Sequence, residues 1–345
     1  RSPHAHDPAH PVRGCGGVVP FPGAPGKLSV MLPTSRLLSF LLLGVGVAML
    51  VAGLVAPRFL PEDARLPLGI EATTYTLVDD AADTRIMTDP DGRVVTAPVS
   101  RQLHMEIQNP ADEHTATLRV GETLMRGSQQ EELDRLITAE VWSFAIDRTT
   151  GEVTTPATLT DQLASPVSEV DIDGVWLKFP SDAQQTTYDV FDPQLRQTRP
   201  AEFVEKLEMN GRSVYRYRQE IEPTDLAAIH ESPFTVLTLP DFTEAHWFHS
   251  VTRDLLVDRV SGLVVEIRED VDSWYASPEG GERQQILRFE GRMPQEQIDA
   301  LLESAATVRD PGTSGTIRWV VVGVGGLLTL VGLAGAFGAF GRGRR

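Results

Sequence analysis

A short phrase that could carry chemistry occurs twice in the sequence, as AIDRTTGEV at 145–153 and LVDRVSGLV at 256–264. Both copies place Asp, Arg, a hydroxyl residue and Gly close together, a set that could bind a ligand or move a proton. The same residues are typical of a β-hairpin loop, because Asp caps the following amides and Gly adopts the left-handed conformation. Each copy lies between two apolar β runs. We therefore predict two hairpin loops with solvated arginines rather than a catalytic site.

Other patterns that carry chemistry are missing from the chain. The sequence has no nucleophile elbow, phosphate-binding loop, dinucleotide fingerprint or zinc-ligand spacing. His246 and His249 lie three residues apart in a β run, so they should point to opposite faces and share no metal. We predict no catalytic residue, no metal site and no cofactor, and we do not expect an enzyme.

Aromatic residues are frequent in the β runs, where they could line an apolar groove or fill an ordinary β core. Both interpretations stay open for each ring. The candidate lining residues are Trp176, Phe179, Tyr188, Phe191, Tyr215, Tyr217, Trp247 and Phe248.

The elements that must position these residues are mostly strands. Short apolar runs with period-two alternation, such as SVYRYRQEIE at 213–222, are separated by turn residues along most of the central chain. Asp91-Gly92 and Asn210-Gly211 are strong hairpin signals, since a type I′ turn needs positive φ at both central residues. The sequence predicts a mainly β fold, an antiparallel long-stranded meander or curved sheet.

Helix signals are few in the same region. A capping box at 128–131 predicts a short helix that continues through Leu136 and Ile137. The segment 294–308 places Ile298 and Leu302 at helical spacing after Pro294. One or two short helices should therefore accompany the sheet.

Two uncharged runs are long enough to cross a bilayer as helices, Leu37–Ala56 with 20 residues and Trp319–Phe340 with 22. The first run is longer than a signal-peptide core, which favours an uncleaved anchor. Lys27 and Arg36 precede the first run, and three arginines close the chain. The positive-inside bias then places both termini in the cytoplasm and the central domain outside the plasma membrane.

The predicted domains follow from these spans. Residues 1–30 have two open interpretations, a translated segment or a spurious upstream extension, and RDPGTSGT at 309–316 is expected to be a flexible hinge. The domains are a disordered cytoplasmic segment 1–36, a transmembrane helix 37–56, an exported β-rich domain 57–316, a transmembrane helix 317–340 and a basic cytoplasmic tail 341–345.

The charge of the exported segment limits its partners. Residues 57–316 hold 23 Lys or Arg and 47 Asp or Glu, a net charge of −24 against −17 for the whole chain. A surface this acidic repels phosphate backbones, so we expect no nucleic-acid partner. The one cysteine, Cys15, precedes the first span, so no disulfide is expected in the exported domain.

Small residues recur at every fourth position in the spans, a pattern suited to close helix packing. The two helices should pack against each other or against a larger membrane protein. The predicted packing residues are Gly44, Ala48, Ala52 and Ala56 in the first span and Gly332 and Ala336 in the second.

Four longer stretches carry a family resemblance. They are VWSFAIDRTTGEV at 141–153, GVWLKFPSDAQQTTYDVFDP at 174–193, NGRSVYRYRQEIEP at 210–223 and LLVDRVSGLVVEIRED at 255–270. With them, the chain from Leu37 to Phe340 resembles the actinobacterial envelope proteins of the porin PorA family. The resemblance implies a domain between two membrane spans, and in some members a role in assembling envelope lipids or lipoglycans.

The family label and the spans favour different functions. A pore needs a closed barrel or several helices around water, and two wholly apolar helices offer no polar lining. We therefore expect a membrane-anchored accessory protein whose exported domain binds or helps traffic envelope lipids or lipoglycan precursors, together with a larger membrane protein. A porin or channel component is the alternative, and an envelope sensor or scaffold is the second alternative.

Overall fold

The computed structural model describes most of the chain, and the predictions for 1–33, the capping box at 128–131 and the tail 341–345 lie outside the described residues. The described residues are 34–56, 64–70, 72–87, 89, 92–127, 135–161, 166–230, 232–238, 243–308 and 311–337.

Three helices occur in the described part of the chain: α1 Thr34–Val55, α2 Gln295–Ala306 and α3 Pro311–Ala336. Within α1 and α3, Leu37–Val55 and Gly315–Ala336 are long and apolar enough to cross a membrane, with mean hydropathies of 2.5 and 2.0. These segments lie where the sequence predicts the two spans, which supports membrane association of the chain.

The start of the second long apolar helix differs from the prediction. Residues 311–316, expected in a flexible hinge, are already helical because α3 begins at Pro311. A proline is well tolerated in the first turn of a helix, where its missing N–H has no partner to lose. The hinge prediction is therefore wrong for these residues.

The rest of the described chain is dominated by one antiparallel sheet, as the alternating β runs predict. Hydrogen bonds order its strands as β6-β5-β4-β3-β2-β1-β13-β12-β11-β9-β8-β7, and β10 pairs with β11. Two long meanders are thus joined side by side through β1 and β13. The strands are β1 Thr73–Arg85, β2 Val94–Ala111, β3 Thr115–Arg126, β4 Leu136–Asp147, β5 Ala157–Thr160, β6 Ser168–Val170, β7 Tyr188–Asp192, β8 Gln197–Met209, β9 Arg212–Asp225, β10 Val236–Thr238, β11 Glu244–Asp258, β12 Val264–Ala276 and β13 Gln284–Arg292.

Turn residues define the register of the sheet. Asn210 and Gly211 form the two-residue loop between β8 and β9, with φ of 48° and 75°. Positive φ at both positions is the signature of the type I′ turn, so the hairpin prediction is confirmed. The expected helix through Leu136 and Ile137 is wrong, because both residues belong to β4. Leu136 pairs with Met125 of β3, and this strand pairing overrides the local helix signal.

The helix expected after Pro294 is confirmed as α2. Its apolar stripe of Ile298, Leu302 and Ala305 is buried. The side-chain oxygen of Gln297 accepts a hydrogen bond of 2.8 Å from the amide of Thr76 in β1. The helix is thereby fixed against β1, which lies in the middle of the strand order.

Val175, which lies outside the strands, connects two distant parts of the sheet. Val175 bridges to Glu152, just after β4, and in parallel to Val190 of β7. The amide of Val175 donates to Asp189 O, and the amide of Phe191 donates to Val175 O, both at 3.0 Å. Strands β4 and β7 lie far apart in the strand order, so these bonds require strong curvature of the sheet.

The chain forms two compact units. One contains residues 1–51 and 323–345, and the other contains residues 52–322. The described part of the first unit is most of the helix pair, and the second holds the whole sheet and α2. The buried core of the second unit combines side chains of the curved sheet with the apolar stripe of α2 and with residues outside the strands, such as Trp176 and Phe179.

Candidate functional site

The repeated phrase forms two loops of the same construction. Asp147 Oδ1 accepts hydrogen bonds of 2.8 Å from the amides of the two following threonines. Asp258 Oδ2 accepts from the amide of Ser261 at 2.8 Å and from its hydroxyl at 2.7 Å. Gly151 and Gly262 end the loops with φ of 74° and 69°. The hairpin-loop prediction is therefore confirmed for both copies.

Both loops form hydrogen bonds with the same backbone segment, residues 177–183, which we call the clamped segment. Its Phe179 amide donates to Gly262 O at 2.7 Å, and its Ser181 amide donates to Thr149 O at 2.8 Å. The chain passes so close that a Cβ atom at Gly151 would lie 2.1 Å from Lys178 O. A Cβ atom at Gly262 would lie 2.1 Å from Phe179 O. Glycine is thus needed at both positions for space as well as for φ.

The arginines of the two loops are half-buried and bonded to other parts of the chain, so the prediction of freely solvated arginines is wrong. Arg148 Nε donates to Leu66 O at 2.8 Å, and its Nη1 donates to Asp112 O at 2.8 Å and Glu113 O at 3.0 Å. The guanidinium of Arg259 pairs with Asp182, inside the clamped segment. Each arginine therefore ties its loop to a neighbouring stretch of chain.

A buried lysine lies at the centre of the clamped segment. Lys178 is fully buried, and its Nζ donates to Phe179 O at 2.6 Å and to Thr149 O at 3.3 Å. Burial lowers the pKa of Lys178 to about 7, and the Asp147 carboxylate opposes this shift. Leu177 has a φ of 62°, a strained conformation for a bulky residue, which persists because the clamp fixes the backbone on both sides.

The aromatic residues expected to line a groove lie in the core or close to it, with their rings against other rings. Trp176 stacks on Phe144 with centroids 5.5 Å apart, and Phe191 meets Trp142 at 5.4 Å. Phe179 stacks on Tyr217 at 5.1 Å. The remaining contacts join Tyr188 to Phe179, Tyr215 to Phe203, Trp247 to Tyr275 and Phe248 to Trp274. The faces that an apolar ligand would use are occupied by these neighbours.

Beside the aromatic cluster lies a buried network of charges. Arg253 Nη2 pairs with Asp192 at 2.9 Å, and its Nε pairs with Glu269. Arg101 pairs with Glu269 and, at 2.8 Å, with Glu122. Burial opposes ionisation of Asp192, but the adjacent Arg253 guanidinium lowers the pKa of this carboxyl overall. Paired charges of this kind are costly to separate because the interior screens them poorly.

A cavity of about 20 Å³ adjoins this network, between Arg101, Arg253 and Glu269 on one side and Trp176 and Phe191 on the other. A space of this size can hold one water molecule when polar partners face it. The sequence patterns did not predict the network. The available signal was Arg253 itself, which occupies an inward position of β11 between the buried Val251 and Leu255.

The two histidines of β11 have different partners. His246 Nδ1 lies 2.7 Å from Asp225 Oδ2, and the buried His249 Nδ1 lies 2.8 Å from Ser273 Oγ. Burial lowers the pKa of His249 to about 4, so the ring is neutral at pH 7. No group of three or more His, Cys, Asp or Glu residues suited to a metal ion occurs in the described part of the chain.

The helix pair uses only some of the predicted small residues. A Cβ atom at Gly46 would lie 2.5 Å from Thr329 N, and one at Gly332 would lie 2.5 Å from Leu43 N. Gly332 therefore belongs to the contact between the helices. Gly44 has no neighbour within 4 Å of such an atom, and Ala48 and Ala52 are exposed, whereas Ala56 and Ala336 are half-buried. On α1, the buried Gly46 and Gly53 make the contact with α3. The exposed Gly44, Ala48 and Ala52 stay a prediction for packing against another membrane protein.

The comparisons with known proteins cover nearly the whole chain. The family described as Porin PorA matches residues 38–334, from the first span to the second. The chain belongs to the Porin PorA family. A relative named Porin PorA from Corynebacterium resistens is 25% identical over 399 residues, covering 86% of this chain and 96% of the relative. Another Porin PorA, from Corynebacterium amycolatum, is 25% identical over 319 residues, covering 74% and 82%.

Membership of the Porin PorA family corrects the expected function. The lipid-handling accessory role was preferred because the spans have no polar lining. The family and both Corynebacterium relatives are named porins, which supports the porin or channel alternative instead. The expectation of a lipid-handling accessory role is therefore wrong.

Proposed function

We propose that this protein of the Porin PorA family is a subunit of a membrane pore. The observation that carries the proposal is the family match from residue 38 to 334, which includes both spans as well as the β domain. The two Corynebacterium relatives bear the same porin name over most of their length. We propose no enzymatic activity for the chain.

The spans indicate how such a pore must be assembled. Neither Leu37–Val55 nor Gly315–Ala336 has an ionisable residue except Arg318, close to the start of the second. Two apolar helices cannot enclose water, since a passage needs backbone or polar groups around it. We therefore propose that several copies combine, alone or with a larger membrane protein, to surround the passage.

The proposed topology keeps the domain map. Both spans would cross the plasma membrane, with both termini in the cytoplasm and the β domain outside. This orientation rests on Lys27 and Arg36 before the first span and the arginines after the second. The acidic exported domain makes a nucleic-acid partner implausible on electrostatic grounds.

Conductance of the purified full-length protein in planar lipid bilayers tests the proposal. We expect discrete current steps that are absent from lipid alone. A matched pair of variants on α3 relates the steps to the helix pair. A Cβ atom at Gly325 would lie 2.9 Å from Gly46 O, whereas one at Gly323 would have no neighbour within 4 Å.

Gly325→Val should therefore abolish or alter the steps, and Gly323→Val should preserve them. The proposal is refuted if folded wild-type protein, shown by vesicle flotation to be inserted, gives no steps. Equal effects of the two variants would refute only the involvement of the helix pair and would leave the pore proposal in place.

A further inference from the structure

Two carboxylic acids lie directly opposite each other inside the curved sheet. Glu122 of β3 and Glu140 of β4 are register partners in the antiparallel pair. On one face of such a pair, opposed Cβ atoms are about 5 Å apart, and like charges at that distance destabilise the strands. The neighbours two residues along, Leu124 and Trp142, are buried core residues. Both carboxyl groups therefore belong to the inner face of the sheet.

Glu122 is only partly neutralised. Its Oε1 accepts from Arg101 Nε at 2.9 Å, but its Oε2 is buried without a hydrogen-bond partner among the described residues. Arg101 is shared with Glu269, and Glu269 is shared with Arg253. A buried oxygen of an ionised carboxylate needs a donor, so a proton on Glu122 or on its neighbour relieves the deficit.

The Glu140 carboxylate has fewer groups than Glu122 that stabilise its negative charge. The indole Nε1 of Trp142 donates to its Oε2 at 3.2 Å. Arg196, the positive charge that acts on Glu140, already pairs with Asp161 at 2.8 Å. Burial and the neighbouring Glu122 carboxylate raise the pKa of Glu140 to about 7. Burial also raises the pKa of Glu122, opposed by Arg101 and reinforced by Glu269.

We propose that Glu122 and Glu140 form a proton-binding site in which the two carboxyl groups hold one proton between them at neutral pH. The charged groups that face the pair are Arg101 of β2, Arg253 of β11 and Glu269 of β12 on the Glu122 side. On the Glu140 side they are Arg196 and Asp161. Two carboxylates that share one site titrate in separate steps, because the first charge disfavours the second.

The proton couples pH to the pairing of β3 and β4. The folded state holds a proton that the unfolded carboxyl groups release at lower pH, so the stabilisation is present in acid and is lost as pH rises through about 7. Above that range two carboxylates repel each other within the sheet. We expect faster amide hydrogen exchange in these two strands at alkaline pH.

Infrared difference spectroscopy of the full-length protein in detergent tests the site, because a protonated carboxyl group has a carbonyl stretch that a carboxylate lacks. We expect this band at about pH 6 and its loss by about pH 8. Lys178 titrates in the same range, but an ammonium group has no carbonyl band, so it does not contribute.

Single substitutions assign the band. Glu140→Gln should remove it, and Glu122→Gln should shift the titration of Glu140 down by at least about one pH unit, since a like charge is removed. Glu106→Gln is the control, because Glu106 is exposed on β2 opposite Arg119 and lies 3.8 Å from it.

A wild-type protein without the band at about pH 6 would overturn the proposal. A band that persists unchanged in Glu140→Gln would overturn it as well. If Glu122→Gln does not fold, the half-buried Glu140 still gives a testable variant. Neither outcome depends on channel activity. The proposal of this proton-binding site and the proposal of a pore can therefore be refuted independently.

Discussion

Replacing Gly262 by alanine measures how tightly the loops hold the clamped segment. The new Cβ atom would lie 2.1 Å from Phe179 O and 2.6 Å from Pro180 O, both backbone atoms. Van der Waals contact requires about 1 Å more, so loop and segment must move apart. That movement breaks the 2.7 Å hydrogen bond from Phe179 N to Gly262 O.

The loss of unfolding free energy in Gly262→Ala can be derived by comparison with Gly211→Ala. Gly211 also has a positive φ, 75°, but an added Cβ atom there meets nothing within 4 Å. Gly211→Ala should therefore cost only the left-handed strain, about 1 kcal/mol. Gly262→Ala adds overpacking and at least one lost hydrogen bond, which brings its cost to about 3–5 kcal/mol. Gly151→Ala, whose Cβ atom would lie 2.1 Å from Lys178 O, should resemble Gly262→Ala.

Thermal unfolding of the full-length protein, followed by tryptophan fluorescence, measures these differences. Trp142 and Trp176 lie in the core beside the segment and report its unfolding. We expect Tm to fall by about 10 °C for Gly262→Ala and by about 3 °C for Gly211→Ala. If both variants lose the same amount, the close approach contributes nothing and the clamp is an incorrect description.

Three further predictions concern other buried groups. Lys178 has a pKa of about 7 in the folded protein, against 10.5 normally. Between these two pH values the unfolded state binds more protons than the folded state. The free energy of unfolding should therefore rise from about pH 7 to pH 9, by up to about 1 kcal/mol per pH unit. Urea denaturation should show this slope in the wild type and its loss in Lys178→Met; a retained slope would contradict the assignment. Arg148→Ala should cost about 1–3 kcal/mol in urea denaturation, because the carbonyls of Leu66 and Asp112 lose their guanidinium donor, whereas the exposed control Arg119→Ala should cost about 0.5 kcal/mol or less. Asp192→Ala should cost about 3 kcal/mol at pH 7, since Arg253 loses a buried partner, and a neutral result in the same assay would show that Glu269 alone suffices.

Local patterns in the sequence were enough to predict the main class of fold. Period-two alternation identified β9, where Val214, Tyr217 and Ile221 are buried and Glu220 is exposed. Turn chemistry identified the Asn210-Gly211 hairpin and both repeated loops. These features are predictable because they depend on residues adjacent in the chain, whose φ preferences and side-chain spacing act within one turn or strand.

The failures have an equally physical cause. The helix expected through Leu136 and Ile137 is replaced by strand β4 because these residues pair with β3, and no pattern within the segment itself reveals that partner. The stripe of Gly44, Ala48 and Ala52 satisfied the spacing rule for helix packing. Only the rotation of α1 against α3 decides which glycines meet, and that rotation places Gly46 at the contact.

The sequence by itself determined the two long apolar helices, the acidic segment between them, the antiparallel sheet and the loop form of the repeated phrase. Only the tertiary structure decided that the two loops close on one segment around Lys178, and that Glu122 faces Glu140 beside Arg101. These contacts join residues far apart in the chain, for instance Arg101 and Glu269, which are 168 positions apart. Curvature of the sheet creates them, and curvature is set by the packing of all strands together rather than by any local pattern.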